Sequence, residues 1–274
     1  MARLTKAQNK AQQAVIELLK QDILNHDEKV FVLENYHEAA TNMTSAAGAF
    51  FTPLALAHEF AEYCSFPRTK GPVKILDLCA GIGVLSFALQ TLIDNSPYNE
   101  SCEITCVEIN PDYIAVGQKL LPNATWVQLD VSDIQAIKSL GQFDLVVSNP
   151  PFGNVPTFSK REPLAYTGSN AIYAVAELAA LMAGCATLIM PQQDAGFKYS
   201  GETYFQALES EALTKFTEQT GITFIPNNFS GTDLYERKWK AKVPRVEFAE
   251  CDFSESVVQT CWQQSKVSQG QLFG

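Results

Sequence analysis

Four residues, Asn149-Pro150-Pro151-Phe152, carry the most chemistry per position in this chain of 274 residues. The Asn149 side chain offers one carbonyl oxygen, and the peptide carbonyl of Pro150 offers a second. Two adjacent acceptors suit an amino group whose lone pair is delocalised into a ring or carbonyl. Such a nitrogen is a poor nucleophile, and it cannot be deprotonated near neutral pH. Holding both of its hydrogens favours a pyramidal nitrogen with the lone pair free to attack. Phe152 adds a flat apolar face on which a ring can stack, and Pro151 keeps the turn rigid.

The residues before this tetrapeptide determine where it sits. Phe143–Ser148 reads as a buried parallel strand. The two prolines end it, because neither donates to a strand ladder. The tetrapeptide therefore belongs at the carboxyl edge of a sheet, where open α/β folds place their ligands.

A second constellation lies upstream. A strand over Lys74–Leu78 carries Asp77 and runs into Gly81 and Gly83. Glycines there let the backbone approach a ligand, and the following helix points its amide end at it. An acid four residues before the first glycine can face a positively charged ligand. A strand over Cys102–Ile109 brings up Glu108, whose carboxylate can hold two ribose hydroxyls. A third strand, Thr125–Leu129, precedes Asp130, which also reads as a helix N-cap. Ser86 stands where a nicotinamide-dinucleotide fingerprint has its third glycine.

The remaining elements must position these groups. Residues 5–38 read as one or two helices. Thr52 reads as an N-cap with Pro53 in the first turn of a helix ending near Tyr63. Further helices are expected over Val84–Ile93, Pro111–Lys119, Ser132–Leu140, Ala171–Met182 and 202–219. Further strands are expected over Ala186–Met190, Ile222–Pro226 and Arg245–Ala249. The alternation predicts an α/β fold: a Rossmann-like, seven-stranded, mostly parallel sheet with helices on both faces, plus a small N-terminal helical segment. The expected organisation is a helical segment over 1–45, a catalytic domain over 46–253, and a C-terminal helix and flexible tail over 254–274.

Bulk properties narrow the function. The net charge is −10, which counts against a non-specific nucleic-acid binder. The charge is uneven, however. Residues 71–150 hold nine acids and three bases, whereas 235–245 hold five bases and one acid. That local basic, aromatic patch fits a nucleic-acid groove and equally fits a solvated loop. No run of 18 apolar residues and no secretory h-region occur, so a cytoplasmic protein without membrane contact is expected. The seven cysteines are scattered without a Cys-x-x-Cys pair. Cys102 and Cys106 share one strand face as core residues, and Cys79 packs beside the glycine loop. His26, His37 and His58 lie far from that region, so no metal site is expected.

Taken together, Asp77, Gly81, Gly83, Glu108 and Asp130 resemble the S-adenosylmethionine site of class I methyltransferases. The segment Gly48–Pro53 resembles the Phe-x-Thr-Pro stretch of amino-group DNA methyltransferases. The order Phe51-Thr52-Pro53, glycine motif, Asn149–Phe152 is that of the γ-type N6-adenine DNA enzymes and of type I modification subunits. The resemblance covers 46–253. It implies S-adenosylmethionine as cofactor, contacted by Phe51, Thr52, Pro53, Asp77, Ala80, Gly81, Gly83, Glu108, Ile109, Asp130, Val131 and Asn149. Glu108 would hold the ribose, Asp130 would read the adenine amino group, and Phe51-Thr52-Pro53 would pack on the methionine end. Asn149, Pro150, Pro151 and Phe152 would serve transfer, with Phe152 stacked on a flipped-out base.

On this resemblance the expected target is N6 of adenine in DNA. RNA adenine or guanine and protein glutamine are the alternatives, and a non-catalytic cofactor-binding subunit is a third reading. Cytosine-C5 chemistry would need a Pro-Cys pair, which does not occur. The chain departs from the γ pattern in leaving no room for a target-recognition domain. Specificity would then come from loops or from a specificity or accessory subunit. The expected substrate contacts are Lys160 and Arg161 in one loop, and Arg237, Lys238, Trp239 and Lys240 in another, with Trp239 equally suited to stack on a base or to cover core edge. The tail Gln269–Phe273 resembles a sliding-clamp docking peptide.

Overall fold

The computed structural model describes residues 5–37, 50–67, 71–97, 101–155, 158, 164–226, 231–240 and 243–258. A seven-stranded sheet runs through its centre in the order β3-β2-β1-β4-β5-β9-β8. The strands are β1 (Val73–Leu78), β2 (Cys102–Glu108), β3 (Thr125–Gln128), β4 (Leu145–Ser148), β5 (Ala186–Pro191), β8 (Thr223–Pro226) and β9 (Val246–Asp252). The pairs β3–β2, β2–β1, β1–β4 and β4–β5 are parallel. Only β9 runs against the rest, pairing antiparallel with both β5 and β8. The reversal of strand order between β1 and β4 puts a crevice at their carboxyl ends, as in other doubly wound sheets.

Helices cover both faces. On one face lie α3 (Leu54–Tyr63), α4 (Val84–Asp94) and α5 (Pro111–Leu120), with α1 (Lys6–Leu18) and α2 (His26–Asn35) packed outside them in the same apolar cluster. On the other face lie α6 (Ile134–Lys138), α7 (Ala171–Met182) and α9 (Glu211–Thr220). Alternation along β1 divides the two cores: Val73 and Ile75 enter the first, and Leu76 and Leu78 the second. Every residue of β4, β5 and α7 is buried, the pattern of central strands covered on both faces. Tyr173, Phe216 and Phe224 stack one on another, with ring centroids 4.7 and 5.6 Å apart, and fasten α9 and β8 to α7. Cys102 and Cys106 both face α4: Cys106 approaches Ser86 at 3.4 Å, and Cys102 bonds Gln90.

Three local expectations need correction. Pro53, not Thr52, is the residue before the first turn of α3, with no side-chain cap; the Thr52 hydroxyl is engaged elsewhere. The helix after β3 is shorter than expected and is capped by Asp133, not Asp130. The helix expected over 202–219 begins only at Glu211, where Ser210 caps it. Before it come the short helix α8 (Gln192–Ala195) and a hairpin of β6 (Phe197–Lys198) with β7 (Gln206–Ala207). Gly196 and Gly201 take positive φ in this stretch, which ends helical propagation. Lys160, Arg161 and Gln269–Phe273 lie outside the described residues. Among the described residues no helix is long and apolar enough to cross a membrane, and no cluster of His, Cys, Asp or Glu is arranged to hold a metal.

Candidate active site

The carboxyl ends of β1, β2, β3 and β4 bring together the residues singled out in the sequence. Glu108, at the end of β2, is held by three backbone amides. Gly81 donates to Oε2, and Ile109 and Asn110 donate to Oε1, each at 2.8 Å. Burial raises its pKa above the ordinary carboxylate value, and the three N–H bonds oppose that rise. Oε1 is saturated by its two amides, and Oε2 keeps one acceptor site for a ribose hydroxyl. Gly81 takes φ +58, and a Cβ there would meet the Phe51 ring at 3.0 Å. Only glycine lets the loop and that ring close together.

Asp77 faces the same loop from within β1 and is 1 % exposed. Its Oδ2 accepts from the Ser86 hydroxyl at 2.6 Å, while Oδ1 is buried without a partner. Burial pushes its pKa up to about 7, with Glu108 adding to the rise and Ser86 opposing it. Ser86 therefore does more than replace a fingerprint glycine. It orients the acid, and a hydroxyl one helical turn into α4 beside a buried acid was the available signal. Cys79, two residues after Asp77, holds φ +62 without being glycine. This is a conformation that tight functional loops impose. Burial raises its thiol well above the ordinary value, which suits packing and not nucleophilic attack.

Asn149 follows β4. Its Nδ2 donates to the Phe50 carbonyl at 2.9 Å and to the Thr52 hydroxyl at 3.0 Å. A peptide carbonyl cannot donate, so this pair of contacts fixes which end of the amide is which. The Oδ1 atom is left buried and unpartnered. Asp77 and Asn149 line one cavity with Phe50, Phe51 and Thr52. The two residues that carry orphaned acceptors thus line one space, and each such atom costs the fold about 1–3 kcal/mol while it is unpaired. Ser148, just before Asn149, bonds the Leu78 carbonyl and ties β4 to β1.

The other predicted contacts sort out as follows. Phe152 is half-buried between the two cores, with its ring 5.8 Å from that of Phe50. Pro150 is buried and Pro151 is half-buried. Ile109 is 51 % exposed beside Glu108. Asp130 sits half-buried after β3 and accepts from the Ser132 amide at 2.8 Å. Val131 and Ala80 are buried, and the Ala80 amide extends the β1–β2 ladder to the Val107 carbonyl. Gly83 precedes α4 in a left-handed conformation. Phe50 and Tyr113 were missed: Phe50 supplies a carbonyl, and the Tyr113 ring lies 4.9 Å from that of Phe51. A carbonyl's role leaves no trace in residue type.

The basic loop is divided by the structure. Arg237 and Lys238 are exposed at the end of a 3-10 turn over Thr232–Lys238. Trp239 is instead only 9 % exposed and belongs to the first core, so it offers no face for a base. Lys240 donates to the Leu33 and Tyr36 carbonyls at 3.2 and 2.6 Å, closing the carboxyl end of α2.

Residues 65–160 match the family described as Methyltransferase small domain. The chain is 34% identical over 83 residues to a tRNA1(Val) (adenine(37)-N6)-methyltransferase of Haemophilus influenzae. The matched stretch is 28% of this chain and 34% of that protein, so the chain spans about a third of the relative. Among solved structures, a Listeria monocytogenes protein assigned to the class I S-adenosylmethionine-dependent methyltransferases matches 89% of this chain and 88% of its own. Its TM-score is 0.54 at 13% identity. A modification subunit assigned to a type I restriction enzyme of Vibrio vulnificus matches 84% of this chain and 50% of its own, with TM-score 0.54 at 14% identity. Both structural matches, at 13% and 14% identity, share this chain's doubly wound fold. S-adenosylmethionine, on which the Listeria protein is assigned to depend, would suit the residues present: a cationic ligand with hydroxyl donors answers the orphaned Asp77 oxygen, the remaining acceptor site of Glu108 Oε2 and the bare backbone at Gly81.

Proposed function

We propose that the protein transfers a methyl group from S-adenosylmethionine to N6 of adenine in a nucleic acid. The observation that carries this reading is the clasped amide of Asn149. Its nitrogen is committed to Phe50 and Thr52, and its oxygen is buried, unpartnered and in one cavity with Asp77.

The cofactor supplies a methyl group on a positively charged sulfur, already electrophilic. Glu108 would hold the ribose and Asp77 the cationic end, which leaves the protein mainly a positioning task. Asn149 Oδ1 and the Pro150 carbonyl each take one hydrogen of the amino group and localise the lone pair on nitrogen. Phe152 offers its face to the base. The nitrogen would gain the methyl as the carbon–sulfur bond breaks with its electron pair left on sulfur, and it would then shed one proton to solvent, which neutralises the charge formed in the transfer.

RNA and DNA both present this amine. RNA is favoured by the tRNA-modifying relative, whose matched segment carries sequence identity and not fold alone. DNA is favoured by Phe51-Thr52-Pro53, the segment that resembles γ-type DNA enzymes and here grips the catalytic amide. The test supplies labelled cofactor with RNA, single-stranded DNA, duplex DNA and cell protein, and identifies products by mass spectrometry. N6-methyladenosine or its deoxy counterpart is the expected product. Label found only in protein would overturn the reading.

A further inference from the structure

The hairpin after β5 displays two adjacent aromatic side chains to solvent. Tyr204 is 79 % exposed and Phe205 50 %. Leu234, on the neighbouring 3-10 turn, is 76 % exposed. Arg237 and Lys238 follow on that turn, exposed and without an ion pair among the described residues. The acids nearby have partners, though among the described residues only Glu236 is paired with a cation. Glu236 pairs with Arg245, and Asp233 accepts from the Ser200 hydroxyl at 2.9 Å. Glu202 bonds Gln206 at 3.2 Å.

This surface is built and held. Glu247 is fully buried, and its Oε1 accepts from the Tyr199 and Ser200 amides at 2.9 Å and from Gln192 at 2.8 Å. Ser200 Oγ in turn receives the Asp233 amide and the Thr232 hydroxyl, each at 2.8 Å. One buried carboxylate therefore locks the root of the hairpin to the root of the turn. A buried charge is a costly way to fix a surface loop. Phe205 leans on buried Phe197, with ring centroids 6.2 Å apart, so its position is fixed while half of it stays in water.

The surface also lies at the correct edge. β9 runs antiparallel, so its first residue, Val246, pairs with Pro191 at the carboxyl end of β5. Ser148, next to Asn149, lies opposite Leu188 in the same strand. The hairpin and turn thus rise from the edge that carries the catalytic amide.

We propose that Tyr204 and Phe205, on a hairpin whose root is bonded to the turn that carries Arg237 and Lys238, form a stacking platform for an unpaired stretch of the nucleic-acid substrate. This rests on the nucleic-acid reading above. Fixed aromatic faces beside cations are how proteins hold single strands irrespective of sequence, since every base has a face and every linkage a phosphate. A duplex keeps its bases stacked internally and offers the rings nothing.

The test is fluorescence anisotropy on the full chain with cofactor. The probes are labelled single-stranded RNA, single-stranded DNA of the same sequence, and duplex DNA, each about twelve nucleotides long. Tyr204→Ala should weaken single-strand binding about tenfold or more, and Tyr204→Phe should restore it. At 79 % exposure Tyr204 has little packing to lose, so folding is not at issue. Arg237→Ala with Lys238→Ala should flatten the log–log salt slope by about 1.4, the loss of two single-strand phosphate contacts. Wild-type affinity in Tyr204→Ala, or tighter binding of duplex than of either single strand, overturns the platform. Methyl transfer by the wild-type protein separates the two readings. Transfer to nucleic acid with an inert Tyr204→Ala overturns the platform alone, and label only in protein overturns both.

Discussion

The carboxyl edge of the sheet is built in two ways on its two sides. Under β1 to β4, the two carboxylates are held mainly by groups close to them in the chain, and only Asn149 is held from afar, by Phe50 and Thr52, 99 and 97 residues away. Glu108 takes the amides of its own two successors, and Asp77 takes a hydroxyl from the helix that follows it. Beyond β5, the edge is held by side chains far apart in sequence. Glu247 reaches back 47 and 48 residues to Ser200 and Tyr199, and Ser200 reaches forward 33 to Asp233. The first side presents orphaned acceptors inside a cavity, and the second presents aromatic faces and cations to water. A small ligand enclosed by backbone suits the first construction, and a polymer passing over a surface suits the second.

If that division holds, substitutions on the first side should alter chemistry or cofactor binding and leave substrate affinity alone. The largest effect is expected at Asn149. Asn149→Ala removes the acceptor proposed for the amino group and should lower kcat about a thousandfold, a loss typical of removing one preorganised polar group. Cofactor affinity by titration calorimetry should stay within about threefold. Near-normal turnover would sink the assigned role, and a matching loss of cofactor binding would mean that the two halves of the cavity are not separable.

Asp77 comes next and brings a pH dependence. Its carboxyl in the fold titrates near 7 instead of 3.8. The folded state therefore keeps a proton that the unfolded chain has released. Stability contributed by this group is greatest below the unfolded value and is lost as pH rises through about 7, a change on the order of 4 kcal/mol. Binding of a cation runs the other way, because the ionised form is the attractive one. Cofactor affinity should rise as pH climbs through 7 and then level off. Asp77→Asn should flatten that rise, weaken binding at pH 8 by about ten- to a hundredfold, and raise the thermal midpoint at pH 8. An Asp77→Asn profile as steep as that of the wild type would refute the assignment.

Thr52 gives a smaller effect that sharpens the same side. Thr52→Val keeps the shape and deletes the hydroxyl that accepts from Asn149, so the amide loses one of its two holds. kcat should fall about five- to tenfold, the worth of one hydrogen bond, with the cofactor KM unchanged and with recovery in Thr52→Ser. A change in KM alone would assign Thr52 to the cofactor instead of to Asn149.

The two constructions also explain what could be read from the residues. Asp77, Gly81, Glu108 and Asn149 are legible because each ends or follows a strand, and strand ends are marked by apolar runs, glycines and prolines. Thr52 was legible as a polar residue before a helix, and its partner was not: a hydroxyl before Pro53 suits a cap as well as an amide 97 residues away. The hairpin was illegible for the same reason. Residues 202–210 have no apolar period of their own, and what shapes them is a glutamate in the last strand. Tyr204 and Phe205 therefore vanished into an expected helix, while Trp239, conspicuous beside lysines and arginines, left a stacking role and a core-edge role open, and its burial selects the core.

The smallest expected effect falls on Lys240, where the comparison can be broken most cleanly. It sits two residues from Lys238 in the same basic run, so charge patterning alone treats the two alike. Lys240 spends its ammonium on the last carbonyls of α2, where a cation also meets the negative end of the helix dipole. Lys240→Met keeps the apolar stem over the core and removes the donor. It should cost about 1 kcal/mol, seen as a thermal midpoint lower by about 2–4 °C. Single-strand affinity should be unchanged, whereas Arg237→Ala, three residues earlier, should weaken it without moving the midpoint. If Lys240→Met and Arg237→Ala weaken binding equally, the basic run acts as one diffuse patch. The distinction between a lysine that fastens the helical hairpin and cations that face the substrate would then fail.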